Sequence, residues 1–186
     1  MKRIFDIVLA IMLLIVFSLP MLIIALLIII TSKGPVFYWS DRVGKGNKIF
    51  KMPKFRTMLV DTPAVATHLM TNPEQYCTSV GSFLRKLSLD ELPQLYSVLK
   101  GDMSFVGPRP ALFNQDDLIE LRTIRGIHNL TPGITGWAQI NGRDNLPIPE
   151  KVELDDYYLK HHSFFFDLKT LFITFANVIC HKGVQH

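Results

Sequence analysis

From Ile7 to Ile30 the chain is almost wholly apolar, yet Phe17-Ser18-Leu19-Pro20 breaks the run near its midpoint. The run is long enough to cross a ~30 Å hydrocarbon core as one helix. No small-residue cleavage site follows it, so a removable signal peptide is not expected. Pro20 removes its own N–H and disrupts the bond to the carbonyl of Val16, a loss that lipid does not repair. Ser18 has a hydroxyl that can fold back onto the carbonyl of Leu14, a bond that bends helices. Each arm beside the proline is about a dozen residues, ~18 Å at 1.5 Å per residue, too short to span alone. Basic residues flank both ends: Lys2 and Arg3 before the run; Lys33, Arg42, Lys45, Lys48, Lys51, Lys54 and Arg56 after it. Cytoplasmic flanks collect Lys and Arg, so a helix that enters and returns through one leaflet satisfies both ends. A straight, proline-kinked anchor satisfies one. Both readings stand at this point.

The rest of the composition agrees with membrane attachment. Apolar residues make up 48% of 186, charged residues only 19%, and the net charge is +4. A mildly basic, greasy chain points to a membrane surface, with no nucleic-acid partner expected. Cys77 and Cys180 fit neither a disulfide framework nor a zinc spacing, which places the body in a reducing cytoplasm. The expected division is residues 1–33 as the membrane element and 34–186 as one catalytic body. The expected class is mainly α with a small β-hairpin (α+β).

After Lys33-Gly34-Pro35, the segments 36–39 and 49–52 flank a Gly44-Lys45-Gly46-Asn47 turn and predict a short hairpin at the membrane exit. Without a GxxxxGK[ST] pattern, that turn reads as a plain turn rather than a phosphate cradle. Lys54-Phe55-Arg56-Thr57-Met58 is a basic segment, and residues 61–80 read as a loop with some helix.

Residues 81–102 carry the most chemistry. Ser88 and Glu91 have the S-x-x-E spacing of a capping box, and Gly101 supplies a stop. Pro93 is tolerated only in a first turn, so a helix is predicted to begin near Ser88 to Asp90. Asp90 and Glu91 then lie at a helix N-terminus, which favours carboxylates and phosphates alike. Acidic residues there are commonly plain caps. Adjacent helical residues point about 100° apart, so if both act, they act differently. Further on, Gly107-Pro108-Arg109-Pro110 holds an arginine in a backbone with little freedom, which suits fixed recognition of phosphate or an ordinary rigid turn. Residues 111–125 predict an amphipathic helix ending at Gly126. In 131–144, Pro-Gly and Asn-Gly turns bracket a short extended piece, and Arg143 follows. In 163–180, Asp167, Thr170, Thr174 and Asn177 recur every three or four residues. That period predicts a helix lying in the membrane interface, apolar face down, or a buried core helix.

Taken in order, KRIFDI, GPVF, KFRTM, LSLDELPQL, LKGDMSFVGPRP, PGITGWAQINGR and ELDDYYLKHHSFFFDLKTLF span nearly the whole chain. In these motifs the chain resembles the small monotopic phosphoglycosyl transferases, the bacterial sugar transferase family. The resemblance implies transfer of a sugar-1-phosphate from a UDP-sugar to polyprenyl (undecaprenyl) phosphate, with release of UMP. It implies Asp90 as the nucleophile that forms a phosphosugar–aspartate and Glu91 as its assistant. Mg²⁺ would bridge the Asp90 carboxylate and the diphosphate. Arg85, Arg109 and Arg143 match positions that hold phosphate or nucleotide, and Arg56 belongs to a basic motif nearby. A re-entrant N-terminal helix, bent at Ser18 and Pro20, and a site at the cytoplasmic face of the inner membrane are also implied. Family members often have serine and proline adjacent at the bend; here Leu19 separates them. The competing class is a non-catalytic adaptor that binds anionic lipid. It accounts for the charge and the C-terminal helix but gives Asp90, Glu91, Arg109 and Arg143 nothing to do.

Overall fold

The computed structural model describes residues 1–60, 62, 73–142 and 146–179. The apolar run forms one helix, α1 (Lys2–Thr31), unbroken through Pro20. Its stripe of Ala10, Ile24 and Ile28 is buried against the body, with Leu9, Leu13, Leu14, Met21 and Ala25 beside them. The opposite side, including Val8, Ile15, Leu19, Leu22 and Ile29, stands exposed without a charge among them. Ser18 does bond back into the helix, but to the carbonyl of Ile15 at 2.7 Å rather than that of Leu14. The three-residue reach leaves the Leu14 carbonyl to the main-chain ladder.

Both ends of α1 are tied to the same body. At the start, Lys2 Nζ reaches Asp167 (2.5 Å) and the carbonyl of Val106 (2.9 Å), and Arg3 donates to the carbonyl of Leu99 (2.7 Å). Asp6, 4% exposed, accepts from the Ser104 hydroxyl and the Phe105 amide. At the far end the Arg56 guanidinium donates to the carbonyls of Ser32 and Lys33. Asp6 and Arg56 are buried and need such partners, and these hydrogen bonds, with the Lys2–Asp167 ion pair, fix the helix's lie on the body.

The hairpin forms as expected: β1 (Phe37–Val43) and β2 (Ile49–Phe55) pair antiparallel from Phe37↔Phe55 to Val43↔Ile49, around a 3-10 turn at Lys45–Asn47. Helix α2 (Ser79–Lys86) follows, capped by the Thr78 hydroxyl on the Gly81 amide. A 3-10 turn at Leu89–Glu91 then leads into α3 (Gln94–Lys100). Gly101 ends α3 in the left-handed conformation, the stop expected of it. The predicted capping box does not form. Ser88 makes no side-chain cap, and the Glu91 side chain turns to two cations instead of back toward Ser88. The helix proper therefore starts after Pro93, not at Ser88.

Strand β3 (Ser104–Val106) pairs in parallel with β4 (Gly133–Thr135), with α4 (Asp116–Ile124) between them in sequence. A Cβ on Gly107 would land on the carbonyl of Thr131, and one on Gly136 would land on the carbonyl of Gly107. Only glycine lets these backbones come so close. The predicted extended piece between two turns is thus shorter than expected. After β4 the chain enters α5 (Trp137–Gly142), so Asn141 and Gly142 end a helix rather than make a turn.

Helix α6 (Ile148–His161) packs on α4 and α5, and α7 (Phe164–Ile179) closes the body. The polar stripe of α7 faces inward. Asp167 accepts from Tyr158 (2.6 Å), Thr170 is fully buried, and Thr174 shares a hydrogen bond with Thr135 (2.7 Å). The apolar stripe faces outward, with Phe165 81%, Phe172 73% and Phe175 65% exposed. Soluble domains rarely place contiguous apolar surface this way round.

Candidate active site

Three segments converge on one pair of carboxylates. Strand β2 brings Lys54, the 3-10 turn brings Asp90 and Glu91, and the loop after β3 brings Arg109. Lys54 Nζ lies 2.7 Å from Glu91 Oε1, and Arg109 Nη2 lies 3.2 Å from the same oxygen. Burial alone would raise the Glu91 carboxyl. Lys54 and Arg109 overcome that and hold it far below the usual carboxylate range. Glu91 is therefore a fixed anion whose charge is already matched.

Asp90 is in the opposite state. It is 8% exposed, and among the described residues its carboxylate forms no ion pair like the one that holds Glu91. Burial pushes its carboxyl above the usual Asp value, Glu91 adds to that push, and the charges of Lys54 and Arg85 oppose it. The result is a desolvated, basic carboxylate inside a positive field. Its backbone setting is special too. Ser88, two residues earlier, takes φ +56°, a left-handed conformation costing of order 1–2 kcal/mol for a non-glycine residue. That turn brings the chain round so that Leu89–Glu91 presents the two acidic residues to Lys54.

Of the residues expected from sequence, the structure brings Asp90, Glu91 and Arg109 together, with Arg85 near enough to act on Asp90. Arg85 closes α2 and also reaches the Cys77 sulfur at 3.9 Å. Arg56 is 5% exposed and turned toward the end of α1, where it bonds to Ser32 and Lys33. Its hydrogen bonds clamp the end of α1 rather than gather at the two carboxylates. Arg143 lies outside the described residues. Ser18 and Pro20 lie mid-helix in α1.

Sequence reasoning missed Lys54, which it had passed over for its neighbour Arg56. It also missed a buried pair behind Arg109. Arg122 Nη2 and Nε lie 2.6 and 3.0 Å from Asp155 Oδ2, and Arg122 Nη1 donates to the carbonyl of Arg109 at 2.8 Å. Arg122 is the lone cation of an acidic helix, DDLIELRTI; nothing in a sequence shows that it points inward.

A buried carboxylate beside a cluster of cations, on a body with apolar outer helix faces, defines the candidate site. The family model of the bacterial sugar transferases matches residues 1–181, and the chain belongs to that family. Across 100% of its length it is 43% identical to EpsL, an uncharacterized sugar transferase of Bacillus subtilis, covering 90% of that protein. It is 44% identical, over 94% of its length, to the UDP-glucose:undecaprenyl-phosphate glucose-1-phosphate transferase of Escherichia coli. It is 38% identical, over 99%, to the UDP-N-acetylgalactosamine-undecaprenyl-phosphate N-acetylgalactosaminephosphotransferase of Aeromonas hydrophila. The chain spans 39% and 45% of the length of those last two proteins.

Proposed function

We propose that this protein transfers a sugar-1-phosphate from a UDP-sugar to polyprenyl phosphate, in two displacements at one phosphorus. The observation that carries the reading is the contrast between adjacent carboxylates: Glu91 tied by Lys54 and Arg109, Asp90 buried and, among the described residues, held by no such pair. In the first displacement an Asp90 oxygen attacks the β-phosphorus. The bond from that phosphorus to the bridging oxygen breaks, and UMP leaves with the electron pair. In the second, a phosphate oxygen of the polyprenyl phosphate attacks the same phosphorus and releases the Asp90 carboxylate. Desolvation keeps Asp90 basic and hence nucleophilic, while Arg85, Lys54 and Arg109 offset the charge of the diphosphate. Glu91 holds Lys54 and Arg109 in place, so that Lys54 acts on Asp90 through its field while its ion pair is with Glu91.

The donor set also bears on Mg²⁺. Among the described residues no group of three or more His, Cys, Asp or Glu is close enough to hold a metal ion. Mg²⁺ commonly arrives with substrate phosphates and takes only one or two carboxylates, so Asp90 suits a substrate-borne ion. When bound, such an ion would supply charge neutralisation at the diphosphate.

The same reading places the chain on one leaflet of the inner membrane, at its cytoplasmic face. The supporting observations are that α1 is tied to one body at both ends and that α1 and α7 turn their apolar faces outward. Pro20, inside a helix that stays continuous, would then be the point at which α1 turns back, and the Ser18 bond to the Ile15 carbonyl would ease that bend. A non-catalytic adaptor would share the greasy faces but has no use for the Asp90–Glu91 contrast.

The test is UMP release from a panel of UDP-sugars with polyprenyl phosphate and Mg²⁺. Asp90→Ala is expected to lose release while staying with the membrane fraction; unchanged turnover would rule out the nucleophile. Tags at residues 1 and 186 are both expected to resist labelling from outside the cell. Periplasmic labelling of the N-terminus would return the spanning anchor.

A further inference from the structure

We propose that Arg122, held by Asp155, is the positioning residue for Arg109: it fixes the Gly107–Pro110 loop through the Arg109 carbonyl. The inference rests on the assignment of Arg109 to the site.

The geometry is a relay of four hydrogen bonds. Asp155, 1% exposed on α6, takes both the Nε and Nη2 of Arg122. Arg122, 8% exposed on α4, spends its remaining Nη1 on the Arg109 carbonyl at 2.8 Å. Arg109 then places its own guanidinium 3.2 Å from Glu91. The planar fork of arginine is needed for this. One edge of the guanidinium holds the carboxylate, and the other reaches a carbonyl, which a lysine ammonium cannot do at the same spacing.

Packing alone does not fix the loop. A cavity of about 30 Å³ lies behind it, between Pro108, Pro110, Ile119, Ile127 and His128, room for roughly one water. The prolines limit the loop's internal freedom, but they do not say where the loop as a whole sits. Its hydrogen bonds do: the Gly107 amide donates to the Thr135 carbonyl, the Gly133 amide to the Pro108 carbonyl, Arg42 Nη1 to the Pro110 carbonyl (3.2 Å), and Arg122 Nη1 to the Arg109 carbonyl. The last is the bond nearest the Arg109 side chain. A buried ion pair is seldom a net source of stability compared with an apolar replacement. Its use here is placement, since it holds a donor under a chosen carbonyl.

Two measurements on the full-length, membrane-reconstituted protein test this. The first is a double-mutant cycle on UMP release with Arg122→Lys and Arg109→Ala. Arg122→Lys alone is expected to lower kcat/KM for the UDP-sugar about tenfold, chiefly through KM. In the Arg109→Ala background the same change is expected to cost less than about twofold. Losses that multiply would mean that Arg122 acts as general scaffolding and would overturn the proposal. The second is hydrogen exchange, which needs no turnover. Arg122→Lys, and Asp155→Asn as a volume-preserving second variant, should speed exchange at 106–112 about fivefold and leave 79–86 unchanged. Equal acceleration in both segments, or none, would overturn it. A wild type that releases no UMP from any UDP-sugar would instead count against the proposed function, and the exchange data would still decide the positioning role.

Discussion

Two acid–base clusters sit on either side of Arg109, and they are built to opposite ends. In the Arg122–Asp155 pair, every charge is buried and matched, and the spare donor is used on a carbonyl. In the 89–91 turn, Glu91 is matched by two cations while Asp90 next to it is not matched in that way. Both sites use the same side-chain chemistry, yet one is closed and the other is left incomplete. On the proposed function, chemistry falls to the incomplete one: a carboxylate tied into an ion pair is a poor nucleophile, and one that is desolvated within a positive field is a good one.

The largest test of that contrast is Asp90→Asn, which should lower UMP release by about 10⁴-fold, as losing a nucleophile does elsewhere. On the closed side, Asp155→Ala should leave Arg122 buried and uncompensated and destabilise the fold by about 3–5 kcal/mol, measured by thermal or denaturant unfolding. Glu91→Gln should come next, at about 1.5–3 kcal/mol near neutral pH, because it removes a charge-assisted acceptor from Lys54 and Arg109.

The Glu91 effect has a definite pH dependence. The folded carboxyl titrates well below its ordinary value of 4.5, so the pair contributes fully above that pH. Its contribution fades as pH falls below 4.5, because the unfolded chain takes up the proton first. The stability gap between wild type and Glu91→Gln should therefore shrink on acidification. Asp90 has the reverse sign, since its folded carboxyl titrates above 3.8 and its ionisation weighs against folding as pH rises. The smallest effect follows from that. Asp90→Asn, dead in turnover, should be more stable than wild type by about 0.5–2 kcal/mol at pH 7, a common exchange of activity for stability.

Much of the outline was legible because it rests on local rules. The hairpin came from strand runs around a Gly turn, the end of α3 from Gly101, and the face of α7 from a three-and-four spacing of polar residues. Asp90, Glu91 and Arg109 stood out by motif and family resemblance. What sequence hid was non-local. The β3–β4 pairing is parallel and joins residues far apart in the chain, so no alternation or turn announces it. Helix α6 begins at Ile148, just after Pro147, and its Asp155 and Tyr158 matter for partners on α4, α1 and α7. The capping box at Ser88 failed for a tertiary reason as well. Two cations across the fold outbid one backbone amide for Glu91, and the turn adopted a left-handed residue instead. Between Lys54 and Arg56, only the fold tells which cation faces the carboxylates and which clamps α1.

The central claim is that Asp90 takes the phosphosugar itself. It is tested most directly by intact-protein mass spectrometry after incubation with a UDP-sugar and Mg²⁺, without polyprenyl phosphate. The account predicts a gain equal to one sugar phosphate less water, mapped to Asp90, lost on adding the lipid acceptor and absent from Asp90→Asn. Turnover that requires both substrates at once, with no adduct at any time, would contradict it.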